Sequence, residues 1–121
     1  MAEKFPEKTV IASLNSQTVT TLLAAPPDTE TAYRVRKVMG QNSTGGASSL
    51  QLILYDGTTN IVVWQGVAVA DGESYTQSAL GAEVFEFGIV LSATTHTLKM
   101  KASAGTTTNK IVCTYEILEA K

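Results

Sequence analysis

The sequence predicts an all-β fold: a single antiparallel β-sandwich of about eight strands, of jelly-roll type. Three observations carry that prediction. Runs rich in Val, Thr, Ile and Leu recur along the 121 residues, separated by turn signals roughly every 8 to 15 residues. Within the runs, apolar and polar residues alternate with the period of two that a half-buried strand imposes, and no convincing 3.6-residue period competes. A hairpin signal sits at mid-chain, where two apolar, β-branched runs flank Asp56-Gly57-Thr58-Thr59-Asn60. Gly accepts positive φ, and Asp and Asn tolerate tight turns.

Taken in order, residues 1–8 read as an N-terminal arm and residues 9–121 as the sandwich domain. Phe5 is the arm's one anchor. The arm is either a frayed terminus or a tether docking Phe5-Pro6 on a neighbouring subunit, since seven extended residues reach at most ~25 Å. Thr9 to Leu14 and Thr18 to Ala24 are short Thr/Val-rich strands, and Pro26-Pro27-Asp28 stops the second one. Thr31 to Met39 resumes extended structure. Strict alternation from Tyr33 and Val35 would put Lys37 inside, so a bulge is expected at Arg36-Lys37, bringing Val38 inward instead.

Gly40 to Ser48 reads as a flexible loop with no core residue. In the hairpin, Leu50, Leu52 and Leu54 share one face, with Gln51, Ile53 and Tyr55 on the other. The return strand is apolar on both faces at Ile61, Val62, Val63 and Trp64. After an Asp71-Gly72-Glu73 turn, Ser74 to Leu80 reads as extended. Val84 to Leu91 follows, with Phe85, Phe87, Ile89 and Leu91 inward. Residues 78–87 are the one stretch compatible with a short helix, which Gly81 weakens. His96 to Ala104 is the cleanest half-buried strand. Ile111, Cys113, Tyr115 and Ile117 complete the core, and Leu118 to Lys121 is a tail. An immunoglobulin-like sandwich is the structural rival, without the paired-cysteine pin of that fold.

One domain fits this length, and a chain of this size buries roughly two-thirds of its unfolded surface. The composition is 44% hydrophobic and 17% charged, with a net charge of -2. That balance gives no electrostatic reason to expect nucleic acid or an anionic membrane. A lone Cys113 forms no internal disulfide. With no apolar run long enough to span a bilayer and no signal-peptide core at the N-terminus, the expectation is synthesis and solubility in a cytoplasm.

Enzymatic chemistry finds little support, and the protein is expected not to be an enzyme and to need no cofactor or metal. His96 is the single histidine, at a strand start beside a Thr-rich turn, with no Ser or Cys placed near it by sequence. Cys113 alternates with Ile111 and Tyr115 like a small core residue. One His and one Cys make no common zinc set within a chain. Residues 56–60 lack the acidic density of a calcium loop. Asp71 and Glu73, like Glu83 and Glu86, read as surface carboxylates. Asn42-Ser43-Thr44 matches a glycosylation sequon by chance, there being no secretory signal.

What remains are contact residues. Arg34, Arg36, Lys37, Lys99 and Lys101 are the basic cluster. If their two strands were neighbours, they would form a small positive patch for an acidic protein partner; a solvated face or edge protection explains them more simply. No aromatic ladder suited to single-stranded nucleic acid accompanies them. Trp64 is assigned to the core, and Ile53 or Tyr55 to a subunit contact. The expected interface residues are therefore Phe5, Pro6, Arg34, Arg36, Lys37, Ile53 and Tyr55.

The run AYRVRKVMGQNSTGGASSLQLILYDG, then VAVADGESYTQ, then LKMKASAG before a last strand, resembles small all-β virion proteins of tailed bacteriophages. The resemblance covers residues 31–117 and rests on strand rhythm and turn placement. It implies a jelly-roll decoration (cement) protein, a homotrimer on the surface of the capsid. Such a protein binds the major capsid protein and stabilises the head after synthesis in the host cytoplasm. The alternative is a tail- or fibre-associated sandwich that binds a receptor or a glycan. Neither reading involves nucleic acid or a membrane.

Overall fold

A computed structural model describes residues 7–13, 19–75, 89–103 and 110–119. They form eight strands: β1 (Glu7–Ser13), β2 (Thr20–Leu23), β3 (Thr31–Met39), β4 (Leu50–Tyr55), β5 (Asn60–Gln65), β6 (Ile89–Leu91), β7 (Thr97–Ala102) and β8 (Lys110–Glu119). Two four-stranded antiparallel sheets result, in the orders β1-β8-β3-β6 and β2-β7-β4-β5. First pairs with last, second with seventh, third with sixth and fourth with fifth. The described strands thus pair as one long hairpin with β4-β5 at its tip. Curling that hairpin brings β8 against β3 and β7 against β4. This is the path of a jelly roll, in which two sheets share one core.

The tip is built as its residues dictate. The Asp56 carboxylate accepts hydrogen bonds from the backbone N–H groups of Thr58 at 2.9 Å and Thr59 at 2.7 Å. The Asp56 N–H donates to the Thr59 carbonyl at 3.2 Å. Gly57 takes φ 98°, a region that costs L-residues strain. A bulge between Leu52 and Ile53 then shifts the register of β4 on β5.

The core fills from both sheets. Leu50, Leu52, Trp64, Leu98 and Met100 pack in one buried cluster with Val35, Val38, Leu91, Ile111 and Cys113. The pairing of β3 with β8 slips by one residue between Val35 and Lys37. Val35 and Val38 are both buried as a result, while Arg36 and Lys37 are exposed. The bulge expected at Arg36-Lys37 is there, and its cause is the need to keep two valines in the core without burying a lysine.

Several boundaries move. β1 begins at Glu7, so Glu7 and Lys8, expected in the arm, pair with Glu116 and Tyr115. β8 runs on to Glu119, where Leu118 pairs with Ala32 in place of a free tail. Of the segment expected to be extended from Ser74, Ser74 makes a bridge to Gln41 and Tyr75 is a buried turn residue. Its remainder, with Phe85, Phe87 and the possible helix at 78–87, lies outside the described residues.

The largest correction concerns residues 40–48, which do contain core residues. Asn42 is completely buried, as is Ser48. The Asn42 amide donates to the carbonyls of Gly46 at 2.8 Å and Val69 at 2.9 Å. Its oxygen accepts from the Thr44 N–H at 3.0 Å and the Thr44 hydroxyl at 2.8 Å. Backbone bonds from Asn42 N–H to Glu73 O, from Gly72 N–H to Asn42 O, and both ways between Ser48 and Val69 join this loop to residues 66–75. Asp71 and Glu73 accept from the N–H groups of Gly45 and Ala70. Two polar loops are thereby fastened to each other, and Val69 and Tyr75 of the second join the core cluster.

Candidate interaction surfaces

Residue pairing decides which side chains share an outer face, because directly opposed residues of neighbouring strands point the same way. On the β1-β8-β3-β6 sheet, Ile11 opposes Val112, which opposes Met39. The next row is Thr9, Thr114 and Lys37. Glu7, Glu116, Arg34 and Val90 follow along the same line. The inward alternates Val10, Ala12 and Tyr115 pack on the core. These rows therefore look outward, and Ile11 is 63% exposed and Met39 42% exposed. An apolar row across three strands, with no cover in the described chain, is a contact surface in waiting.

The charges on this face are organised around one carboxylate. Glu116 on β8 lies 3.4 Å from an Arg34 guanidinium nitrogen and 4.0 Å from one of Arg36. The β3 bulge is what allows both arginines to reach it. Lys37 sits beside them. Lys99 and Lys101 belong to β7 in the other sheet, so the single positive patch considered from the sequence does not form. The basic residues lie on opposite outer faces of the sandwich.

On the β2-β7-β4-β5 sheet the outer rows are Gln51-Gln65-Lys101, Ile53-Val62-Lys99 and Tyr55-Asn60-Thr97. Ile53 is only 3% exposed, flanked in register by Val62 and Lys99. It has almost no surface to offer a subunit, which corrects its assignment as a contact residue. Tyr55 is half-buried, with the Lys99 ammonium 4.0 Å from its ring centre, close enough for a cation–π contact. Trp64 is buried in the core, as its position implied. Phe5 and Pro6 lie outside the described residues. The exposed apolar side chains of this sheet lie on its edge strand β5 instead, where Ile61, opposite the core-packed Leu54, is 44% exposed and Val62, opposite Ile53, is 52% exposed. A shallow hollow of about 410 Å³ lies nearby, lined by Ser49, Gln51, Gln65, Lys101, Ala102 and Ser103. The Gln51 amide donates to Gln65 across it at 2.7 Å.

The titratable groups follow their surroundings. Burial pushes the Cys113 thiol up to about 12, far from the range of a nucleophilic thiolate. The Thr59 and Thr58 N–H groups hold the Asp56 carboxyl below its ordinary value. His96 is a turn residue whose Nδ1 accepts from the Ser92 N–H at 3.2 Å. The sequon Asn42 has no free amide, since both its donors are engaged and the residue is sealed from solvent. Among the described residues, no three His, Cys, Asp or Glu side chains gather as a metal site would require, and no helix is long and apolar enough to cross a membrane. Compared with protein families, curated proteins and solved structures, the chain matches none.

Proposed function

We propose that the protein is a structural virion component: a decoration protein that binds the major capsid lattice of a tailed phage and stabilises the head. One observation carries this reading. A small jelly roll leaves exposed apolar side chains at two separate places outside its core, the Ile11-Val112-Met39 row and the β5 edge at Ile61 and Val62. Two such surfaces on one rigid body suit a protein that joins neighbours together. Repetition on a lattice multiplies weak contacts into firm attachment. The strand rhythm shared with small phage virion proteins supports the same reading.

The β5 edge is the surface assigned to the capsid. Its strand, NIVVWQ, carries no charge, and an exposed uncharged edge invites pairing by another chain. Purified protein added to heads stripped of it is expected to co-sediment with them and to raise their resistance to heat. Val62→Lys is expected to lower the bound fraction at least fivefold without changing the fold. Failure of the unmodified protein to co-sediment contradicts the proposal.

The polar hollow at Ser49, Gln51, Gln65 and Lys101 favours a second reading, a tail- or fibre-associated sandwich that binds a glycan. Amide and hydroxyl groups suit sugar hydroxyls, although no aromatic platform lines the hollow. Binding on a glycan array that Gln51→Ala abolishes would replace the capsid reading with this one.

A further inference from the structure

We infer that the outer face of the β1-β8-β3-β6 sheet is a two-fold self-association surface, whose occupant is the same face of a second copy. The inference follows from the order of residues on the face and stands independently of the capsid reading.

Consider a two-fold axis in the plane of contact, running along the central strand β8. The rotation preserves position along the strands and exchanges left with right. Residues of β1 then lie across from the residues of β3 in the same row of the other copy. In the first row, Ile11 meets Met39 of the second copy, and Val112 meets its own equivalent on the axis. An apolar row covers an apolar row, and the exposed parts of Ile11 and Met39 are removed from water together. In the middle row, Thr9 meets Lys37 of the second copy and the two Thr114 residues lie on the axis. In the third row, Glu7 meets Arg34 of the second copy, and symmetry repeats the pair. The two Glu116 carboxylates approach on the axis, each already accompanied by its own Arg34 and Arg36.

Charge order makes this arrangement specific. Acid on β1 and base on β3 at the same level is complementary to itself only under this rotation. Sliding one copy along the strands by a row would set Glu7 against Lys37 but strip Ile11 of its apolar partner. Turning one copy end for end would place Ile11 over charged groups. The apolar row at one end of the face and the charged row at the other thus select one register among the alternatives. Aligned packing of two such sheets at about −30° keeps the central rows in contact.

The face is small. Three strands spaced at about 4.8 Å, with seven residues of β1 rising about 3.4 Å each, give a footprint of roughly 350 Å² per copy. That lies well below the roughly 800 Å² per partner of a standard stable interface, so association in solution belongs at tens to hundreds of micromolar.

Sedimentation equilibrium of the full chain from about 10 µM to 1 mM tests this pairing against that expectation. The expected result is a monomer–dimer equilibrium that weakens as salt is added. Ile11→Lys, at an exposed position, is expected to weaken it at least tenfold while the unfolding midpoint stays unchanged. Glu7→Arg, which sets like charges against Arg34 of the second copy, is expected to weaken it about fivefold, and Glu7→Gln to weaken it less. A chain that stays monomeric throughout overturns the inference. So does any association, dimeric or trimeric, that Ile11→Lys leaves intact or that only Val62→Lys removes. A monomer that still binds stripped heads removes this pairing and leaves the capsid reading standing.

Discussion

Replacing Asn42 by Ala removes the side chain that fastens the two polar loops, and its cost follows from the bonds lost. Four hydrogen bonds disappear: two donated to the Gly46 and Val69 carbonyls, and two accepted from Thr44. A typical bond contributes about 1 kcal/mol net, and a buried group left without its partner costs about 1–3 kcal/mol. Part of the loss is recovered, because the Gly46 and Thr44 groups lie near the surface and water replaces what Asn42 gave. The Val69 carbonyl still accepts from the Ser48 N–H at 3.0 Å. The sum is a destabilisation of about 2–4 kcal/mol, a large share of the 5–15 kcal/mol typical of a domain. Urea unfolding followed by circular dichroism reads it directly as a shifted midpoint with an unchanged slope. Amide exchange should speed up at Ser48, Val69 and Gly72, whose N–H groups join the loops. Asn42→Asp should cost at least as much at neutral pH, because a carboxylate would face two carbonyls. A loss below about 0.5 kcal/mol for Asn42→Ala would refute the reasoning and make the loop as replaceable as its composition suggested.

Three further outcomes are expected. Cys113 should resist a thiol reagent in the native protein at pH 8 and react only on unfolding, since burial holds the thiol protonated; rapid native labelling would contradict its core placement. Because its folded pKa is raised, the stability it contributes is complete below the ordinary thiol pKa of about 8.5 and declines as pH rises towards the folded value of about 12, a decline that Cys113→Ala should abolish. Asp56 should titrate below an ordinary aspartate by NMR. Its contribution is present above the unfolded pKa and lost as pH falls through the lowered folded one. Gly57→Ala should destabilise by about 1–2 kcal/mol in the same urea assay, as its φ is 98° and the new Cβ would lie 2.9 Å from the Thr95 Cβ; an unchanged midpoint would mean the tip relaxes freely.

How much could be read from the sequence depended on how local the cause was. The hairpin tip was legible because Asp56 and Gly57 act on their immediate neighbours. The β3 bulge was legible because Val35, Arg36, Lys37 and Val38 conflict with strict alternation within a single strand. Cys113 was legible as core from its alternation with Ile111 and Tyr115, whereas Trp64, on a strand apolar on both faces, fitted the core or an outward patch equally by period, and the structure buries it. Asn42 was missed because Gly, Ser, Thr and Asn compose solvated loops and fastened loops alike, and its partner Val69 is distant in sequence. The strands carrying the basic residues were readable, but not that β3 and β7 fall in different sheets. Ile53 was misjudged for a similar reason: its cover in register, Val62 and Lys99, comes from both neighbouring strands. The row of Ile11, Val112 and Met39 needed the register of three strands before it existed as a surface at all. A weak signal was present, since each is an apolar residue at an outward position of its own strand.

A protein that coats a head through the apolar side chains left on its outside lies at repeated positions over that head, and this placement can be seen. Electron microscopy of native particles, with the protein marked by an antibody fragment, shows where it lies. The expected result is density at regular positions over the head surface, contacting the capsid through the β5 edge. Marking confined to the tail, or particles that carry none of the protein, would contradict it.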